Sequence, residues 1–272
     1  MRNSLTMIAM CAVALAAPGA VALTMPPMPE TSTETLDPLR HAAVQGSAEA
    51  QFTLGSMYLR GEGVSQDYDE AFNWYRLAAM QGMAKAQLGL GLLYDQGLGA
   101  PQNFNEAVIW YRLAAEQELA MGQHSLAAMY YYGNGVARDH EQAANLFRLA
   151  ARQGLAAAQY SLGAMHYRGD AVSQDYAAAA TLCRLAALQG FPEAQRCIGA
   201  MLYHGKGVPQ DFVQAHMWLS LAGESMHDPE SRLAAAKLRD EIAAKLSDAD
   251  LIRAHMLARS WRPPHLSTAE AR

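Results

Sequence analysis

The chain holds 272 residues, of which 51% are hydrophobic and 17% charged, with a formal net charge of −5 at pH 7. A mildly acidic balance without a basic run excludes the electrostatic footprint of a nucleic-acid or anionic-lipid binder. Beyond the N-terminal run, no segment is long and apolar enough to cross a bilayer.

Residues 1–22 read as a secretory signal peptide. Arg2 supplies a positive n-region, Leu5 to Ala17 an apolar h-region, and Ala20-Val21-Ala22 a small-x-small cleavage site. The apolar run is short for a span and no stop-transfer stretch follows, so a soluble periplasmic or secreted protein cleaved after Ala22 is expected. Cys11 follows the bulky Met10 and stands too early for a lipid-modified cysteine. Cleavage removes one charged residue, Arg2, and leaves 20 basic against 26 acidic residues. Residues 23–36, with Met25-Pro26-Pro27-Met28-Pro29 followed by Thr, Ser and Glu, read as a flexible linker.

From there repetition is the dominant signal. Gln51, Gln87, Gln123, Gln159 and Gln195 stand 36 residues apart, as do Gly61, Gly97, Gly133, Gly169 and Gly205. Leu77-Ala78-Ala79 recurs at 113–115, 149–151 and 185–187, and imperfectly as Leu221-Ala222-Gly223. Five units follow (47–82, 83–118, 119–154, 155–190, 191–226), preceded by a half-unit from Asp37 to Gly46. Each unit reads as two helices. Helix A of the first, about 48–59, carries Ala50/Gln51, Leu54 and Met57/Tyr58 at helical spacing; helix B, about 68–80, carries Ala71, Trp74/Tyr75 and Ala78/Ala79.

Helix B has a repeated start signal. Asp67 stands three before Glu70, Asn103 before Glu106, Asp139 before Gln142 and Asp211 before Gln214, the spacing of a reciprocal capping box. Asp175 faces Ala178, so only its half of the box survives. Gln-Gly pairs at 81–82, 153–154 and 189–190 suit the left-handed helix end. Helix pairs this short cannot bury an apolar face alone, so neighbours must stack.

The pattern A-x-A-Q-x-x-L-G-x-x-Y, G-x-G-V, D, A-x-x-W-Y and L-A-A-x-Q-G resembles the Sel1-like repeat, a relative of the tetratricopeptide repeat. Ala48-Glu49-Ala50-Gln51, Leu54-Gly55, Tyr58, Gly61-Glu62-Gly63-Val64 and Trp74-Tyr75 carry it. The resemblance implies an all-α, right-handed α-solenoid of five helix–turn–helix repeats over 37–226. Departures are Glu118 in place of the terminal glycine, Ala171 in place of the second loop glycine, and Leu146 and Leu182 in place of the tryptophan.

The C-terminal part differs. Pro229 to Leu246 reads as an amphipathic helix with Leu233, Ala236, Leu238 and Ile242, and Ser247-x-x-Asp250 as a capping box opening a last helix to Trp261. Residues 227–262 are expected to form the helical cap that a solenoid needs, and 263–272 a flexible tail.

Could the glycine loops cradle a phosphate? Such a loop occurs once, after a strand, with Lys-Ser/Thr behind it. This one occurs five times, after a helix, and encloses Glu62, Leu98, Asn134, Asp170 and Lys206 in turn. It reads as a helix-ending turn. The nine histidines form no metal-ligand spacing, no G-x-S-x-G occurs, and the acid pairs are caps, so no catalytic residue, metal or cofactor is expected. His166 takes the Tyr58 position of its unit and reads as a filler of a half-buried slot. Cys183 and Cys197 stand seven residues either side of Gly190 on successive helices. An oxidising compartment would let them bond; two buried thiols is the other reading.

In tetratricopeptide-like solenoids the far side of helix A lines a concave groove. Three positions per unit fall there: Phe52/Leu59/Arg60, Leu88/Asp95/Gln96, His124/Tyr131/Tyr132, Tyr160/Tyr167/Arg168 and Arg196/Tyr203/His204. Tyr131, Tyr167 and Tyr203 make a ladder one repeat apart, flanked by Tyr132, Tyr160, Arg168, Arg196 and His204, residue types favoured at interface hot spots. The competing reading packs these tyrosines between successive A helices. Trp74, Trp110 and Trp218 share one helix-B position and read as core. The resemblance implies a non-enzymatic exported scaffold or adaptor binding a protein or peptide in that groove, with regulation of an envelope complex or sensor among the roles it implies. The alternatives are an envelope protein acting on β-lactams or peptidoglycan, as attributed to cysteine-rich relatives, and a purely structural member of a larger complex. Oligomeric state stays open.

Overall fold

The computed structural model describes residues 33–263. The segments expected to be the signal peptide and its cleavage site, the first part of the expected linker and nearly all of the expected tail lie outside the described residues. Thirteen helices and no strand occur among them, an all-α solenoid repeat: α1 (Thr33–Val44), α2 (Ala48–Arg60), α3 (Tyr68–Met80), α4 (Ala84–Gln96), α5 (Phe104–Glu116), α6 (Ala120–Tyr132), α7 (His140–Arg152), α8 (Ala156–Arg168), α9 (Tyr176–Leu188), α10 (Pro192–His204), α11 (Phe212–Ser225), α12 (Pro229–Ala243) and α13 (Asp248–Ser260). Helix α1 begins at Thr33, inside the stretch expected to be linker.

The B helices start where the sequence places their caps. Asp67 accepts from the amides of Asp69 and Glu70, Asn103, Asp139 and Asp175 act likewise, and Asp211 accepts from Gln214 N. The reciprocal half of the box is replaced. The cap residue's own N–H goes to a helix-A carbonyl nine residues back: Asp67 to Tyr58 at 3.0 Å, Asn103 to Tyr94 at 2.9 Å, Asp139 to Tyr130 at 2.9 Å. That amide is therefore no longer open to Glu70, Glu106 or Gln142. Helix α2 ends at Gly61, whose φ of 71° is left-handed and whose N–H bonds to Met57 O at 2.8 Å.

Two compact units divide between Leu146 and Phe147, within α7. In the first, Phe52, Ala71, Tyr75, Ala78, Leu90 and Leu93 form one core cluster and Leu88, Val108, Tyr111, Leu126 and Met129 another. Tyr75 is 1% exposed because Gly55 lets its ring close on α2: a Cβ there would stand 2.7 Å from Tyr75 Cδ1. Successive repeats are joined by glutamine clamps. Gln51 Nε2 donates to Ala43 O at 2.9 Å while Gln81 Nε2 donates to Gln51 Oε1 at 2.7 Å. Gln87 and Gln117 repeat this with Ala79 O, at 3.3 and 2.8 Å.

The second unit holds one large cluster, including Tyr160, Cys183, Ile198, Met201, Trp218, Leu219, Leu238 and Ile242. Its clamp recurs as Gln159 with Gln189, at 2.9 Å, but Gln195 Oε1 is buried without a hydrogen-bond partner, because Ser225 stands where the glutamine would. Helices α12 and α13 both pack on α11. They keep the repeat's register: the α13 cap, Ser247, lies 36 residues after Asp211 and accepts from Asp250 N. Glu241 stands where the loop glycine Gly205 would recur, and α12 runs on to Ala243.

Candidate functional site

The A helices of the repeats, α2, α4, α6, α8 and α10, each close on a pair that the repeat leaves free to change: Leu59-Arg60, Asp95-Gln96, Tyr131-Tyr132, Tyr167-Arg168 and Tyr203-His204. Behind each pair sits the glycine turn. Its first amides are given to the helix end, with Gly61 N and Glu62 N both bonded to Met57 O, at 2.8 and 3.1 Å. The intervening loop residue also has a local task in two repeats: Glu62 pairs with Arg60 at 2.8 Å, and Asp170 with Arg168 at 2.5 Å.

In the first unit Tyr131 and Tyr132 are half-buried and meet edge-on at 5.2 Å, and Tyr131 stacks on His140 at 4.6 Å. At the equivalent place on α4, Asp95 turns inward. It is 3% exposed and accepts from the Tyr111 hydroxyl at 3.2 Å. Burial raises the Asp95 pKa, partly offset by that bond, and burial lifts the Tyr111 phenol well above its ordinary range. His124, also on this helix face, is buried, and burial lowers its pKa to about 4.

In the second unit the tyrosine ladder does not stand open. Tyr160, Tyr167, Arg196 and Tyr203 are all buried, which corrects their expected placement on an exposed face. The reason is the cover laid over them by their own helix B, by the following repeat and by the C-terminal helices. Tyr160 packs against Phe191 at 5.6 Å. Tyr167 lies edge-on to Tyr176 at 5.0 Å, and Lys206 Nζ donates to its hydroxyl at 3.2 Å while sitting 5.1 Å over the Tyr176 ring. The Tyr203 hydroxyl donates to Glu241 and accepts from Lys245, whose ammonium stands 4.5 Å over the Tyr203 ring and pairs with Glu241 at 3.4 Å. Packing between successive repeats describes Tyr160, Tyr167 and Tyr203 better than groove contact does. Arg168 and His204 stay half-buried at the surface. Burial and then the Lys206 charge hold the His204 pKa below its usual value.

Sequence reasoning missed Lys206, Glu241 and Lys245, the residues that cover the ladder. Lys206 was in view as the residue between two loop glycines. Glu241 and Lys245 take the register of Gly205 and Pro209, where no repeat carries an acid or a lysine, so the recurring pattern does not announce them. His166 fills a half-buried slot with Nδ1 3.4 Å from Ser173 O. Trp218 is buried and edge-on to Trp261 at 6.0 Å, whereas Trp74 and Trp110 are only half-buried against their clusters. Cys183 on α9 and Cys197 on α10 are buried side by side with Cα atoms 6.2 Å apart, inside the span of a disulfide. Among the described residues no group of three or more His, Cys, Asp or Glu could hold a metal ion, and no helix is long and apolar enough to cross a membrane.

The family model described as Sel1 repeat matches residues 48–83, 84–119, 120–155, 156–191 and 192–225. A solved Sel1 repeat protein from Oxalobacter formigenes is similar over 82% of this chain and 89% of its own, at 29% identity and a TM-score of 0.69. A sel1 repeat protein from Klebsiella pneumoniae, 23% identical, is similar over 76% of this chain and 99% of its own with a TM-score of 0.50, a likeness of fold alone. No curated protein matches the chain.

Proposed function

The chain belongs to the Sel1 repeat family, and from that premise we propose that it is an exported, non-enzymatic scaffold that binds a protein or peptide along the ends of its A helices. Sel1 repeats commonly mediate protein–protein interaction and are generally non-catalytic. The observation that carries the reading is constancy beside variation. One glutamine, the loop glycines and the alanine pair recur on a 36-residue step and are used up in holding the helices together, while the residues at the A-helix ends change from repeat to repeat. A surface whose frame is fixed and whose side chains vary is built for recognition rather than for one chemistry.

In the first unit Tyr131 and Tyr132 are the half-buried residues at an A-helix end, and in the second, taken by itself, Arg168 and His204 are. Tyrosine rings supply contact area with few rotors, which suits them to anchor a partner. A photo-crosslinking residue at position 132, introduced in the cell of origin, should trap one discrete partner. Replacing Tyr131 by Ala in that probe-bearing protein should abolish the capture; undiminished capture would sink the reading. Covalent labelling by a fluorescent β-lactam would instead favour an enzyme.

Export and the cysteine pair belong to the same proposal. N-terminal sequencing of the mature protein should begin at Leu23, and in the oxidising envelope Cys183 and Cys197 should form a disulfide. Alkylation of the native protein under denaturing conditions, without reductant, should then leave both cysteines unmodified. Two alkylated thiols would refute the bond.

A further inference from the structure

Helices α11, α12 and α13 enclose a cleft of about 710 Å³ that none of the repeat's recurring residues explains. Three guanidinium groups line it, Arg232 and Arg239 from α12 and Arg259 from α13. Two imidazoles, His216 of α11 and His255 of α13, meet there edge-on at 5.1 Å. Two carboxylates share the walls, Glu224 from α11 and Asp240 from α12. Asp240 is engaged by Arg239 Nε and Nη2 at 3.1 and 2.9 Å, so these two neutralise each other. Among the described residues the guanidinium groups of Arg232 and Arg259 have no hydrogen-bond or ion-pair partner. Two unpaired guanidiniums thus face one unpaired carboxylate.

A second, independent observation points the same way. His216 is 2% exposed, yet its Nδ1 is buried without a hydrogen-bond partner. An unsatisfied buried polar atom costs about 1–3 kcal/mol, and a native fold that keeps one usually has a use for it. Burial, then the neighbouring His255 and the Arg239 charge, lower the His216 pKa to about 4, with Asp240 opposing. The floor is apolar, with Ala236, Ala243, Leu251 and Ala258.

We propose that this cleft binds a peptide segment through a carboxylate, held by Arg232 and Arg259 above His216, with an adjoining apolar side chain on the alanine floor. A carboxylate offers two acceptor oxygens to a guanidinium fork. The volume is far larger than one oxyanion needs, and apolar floor beside basic wall matches alternating acidic and aliphatic residues better than a free ion. The proposal rests on the reading of the chain as an interaction scaffold, but on a surface separate from the A-helix ends.

The test uses a fluorescein-labelled hexapeptide of alternating Glu and Leu, and its Gln counterpart, followed by anisotropy on the whole mature protein. The acidic peptide should bind at least about tenfold more tightly than the Gln version, and Arg232→Ala and Arg259→Ala should each weaken it about tenfold. Both arginines are exposed, so their truncation spares the core. Arg253→Ala, an exposed arginine of α13 outside the cleft, should change nothing. Saturation should also raise the His216 titration midpoint seen by NMR. Equal binding of the two peptides, or indifference to both arginine variants, overturns the proposal. So does displacement by inorganic phosphate at matched ionic strength, which would assign the cleft to a free oxyanion. Peptide failure alongside successful crosslinking at position 132 would remove the cleft and leave the A-helix reading standing.

Discussion

Asp95 shows what one buried carboxylate does inside a helical repeat. Its pKa is raised by burial, so the native state holds the proton more readily than the unfolded chain. Its stabilising contribution is therefore complete below the unfolded value near 3.8 and is lost as pH rises through the raised native value. Asp95→Asn keeps an acceptor for the Tyr111 hydroxyl and removes the buried charge. It should raise the urea midpoint at pH 7 and match the parent protein near pH 3. His124 works in the opposite sense. Its pKa falls from 6.5 to about 4, so stability is full above 6.5 and declines as pH drops toward 4. A fully buried histidine with that shift would cost roughly 3 kcal/mol by pH 4. Relative to a His124→Gln variant, the parent's urea midpoint should fall steadily between pH 7 and pH 4; a pH-independent difference would contradict the burial of His124. Neither behaviour could be read from the sequence, where Asp95 and His124 occupied positions marked as groove surface.

Between helices, the recurring glutamine does the joining. Each clamp links an A helix to the preceding B helix through buried amide bonds, a contribution of about 1 kcal/mol apiece. The second unit's last clamp is half made, since Ser225 leaves Gln195 Oε1 unsatisfied. Ser225→Gln should complete it and gain about 1 kcal/mol in chemical denaturation. Ala171 gives a second gain. Its φ of 53° is left-handed, where the other repeats with this loop have glycine, so Ala171→Gly should stabilise by about 1 kcal/mol. If the cysteines bond, the cross-link closes a short loop between α9 and α10, and its loss in a Cys183→Ala, Cys197→Ala pair should cost about 3 kcal/mol in the oxidised protein. The element scale was the most legible. Asx caps, loop glycines and helix lengths follow from local propensity, whereas the other partner of each cap amide did not, because a carbonyl nine residues back competes with a neighbouring side chain.

At the scale of the molecule, the terminal helices are what end the repeat. Leu77, Leu113, Leu149 and Leu185 are 36–46% exposed on their B helices, whereas Leu221, their counterpart on α11, is 7% exposed because α12 and α13 pack there. Deleting 227–272 would uncover Trp218, Leu219, Leu221 and Met226 together. That truncation should lower soluble yield and raise binding of an apolar dye; unchanged solubility would show that the capping role is dispensable.

The sequence by itself determined the family, the 36-residue step and the starts and stops of the helices inside the repeats. These depend on short-range physics: apolar spacing, Asx caps and glycines in left-handed turns all act within a few residues. Only the tertiary structure decided which tyrosines stay accessible, that Asp95 turns inward, and that three helices at the C-terminal end leave a basic cleft. A helical wheel gives the direction of a side chain from its own axis. It cannot say what another helix, about forty residues later, will lay on top of it.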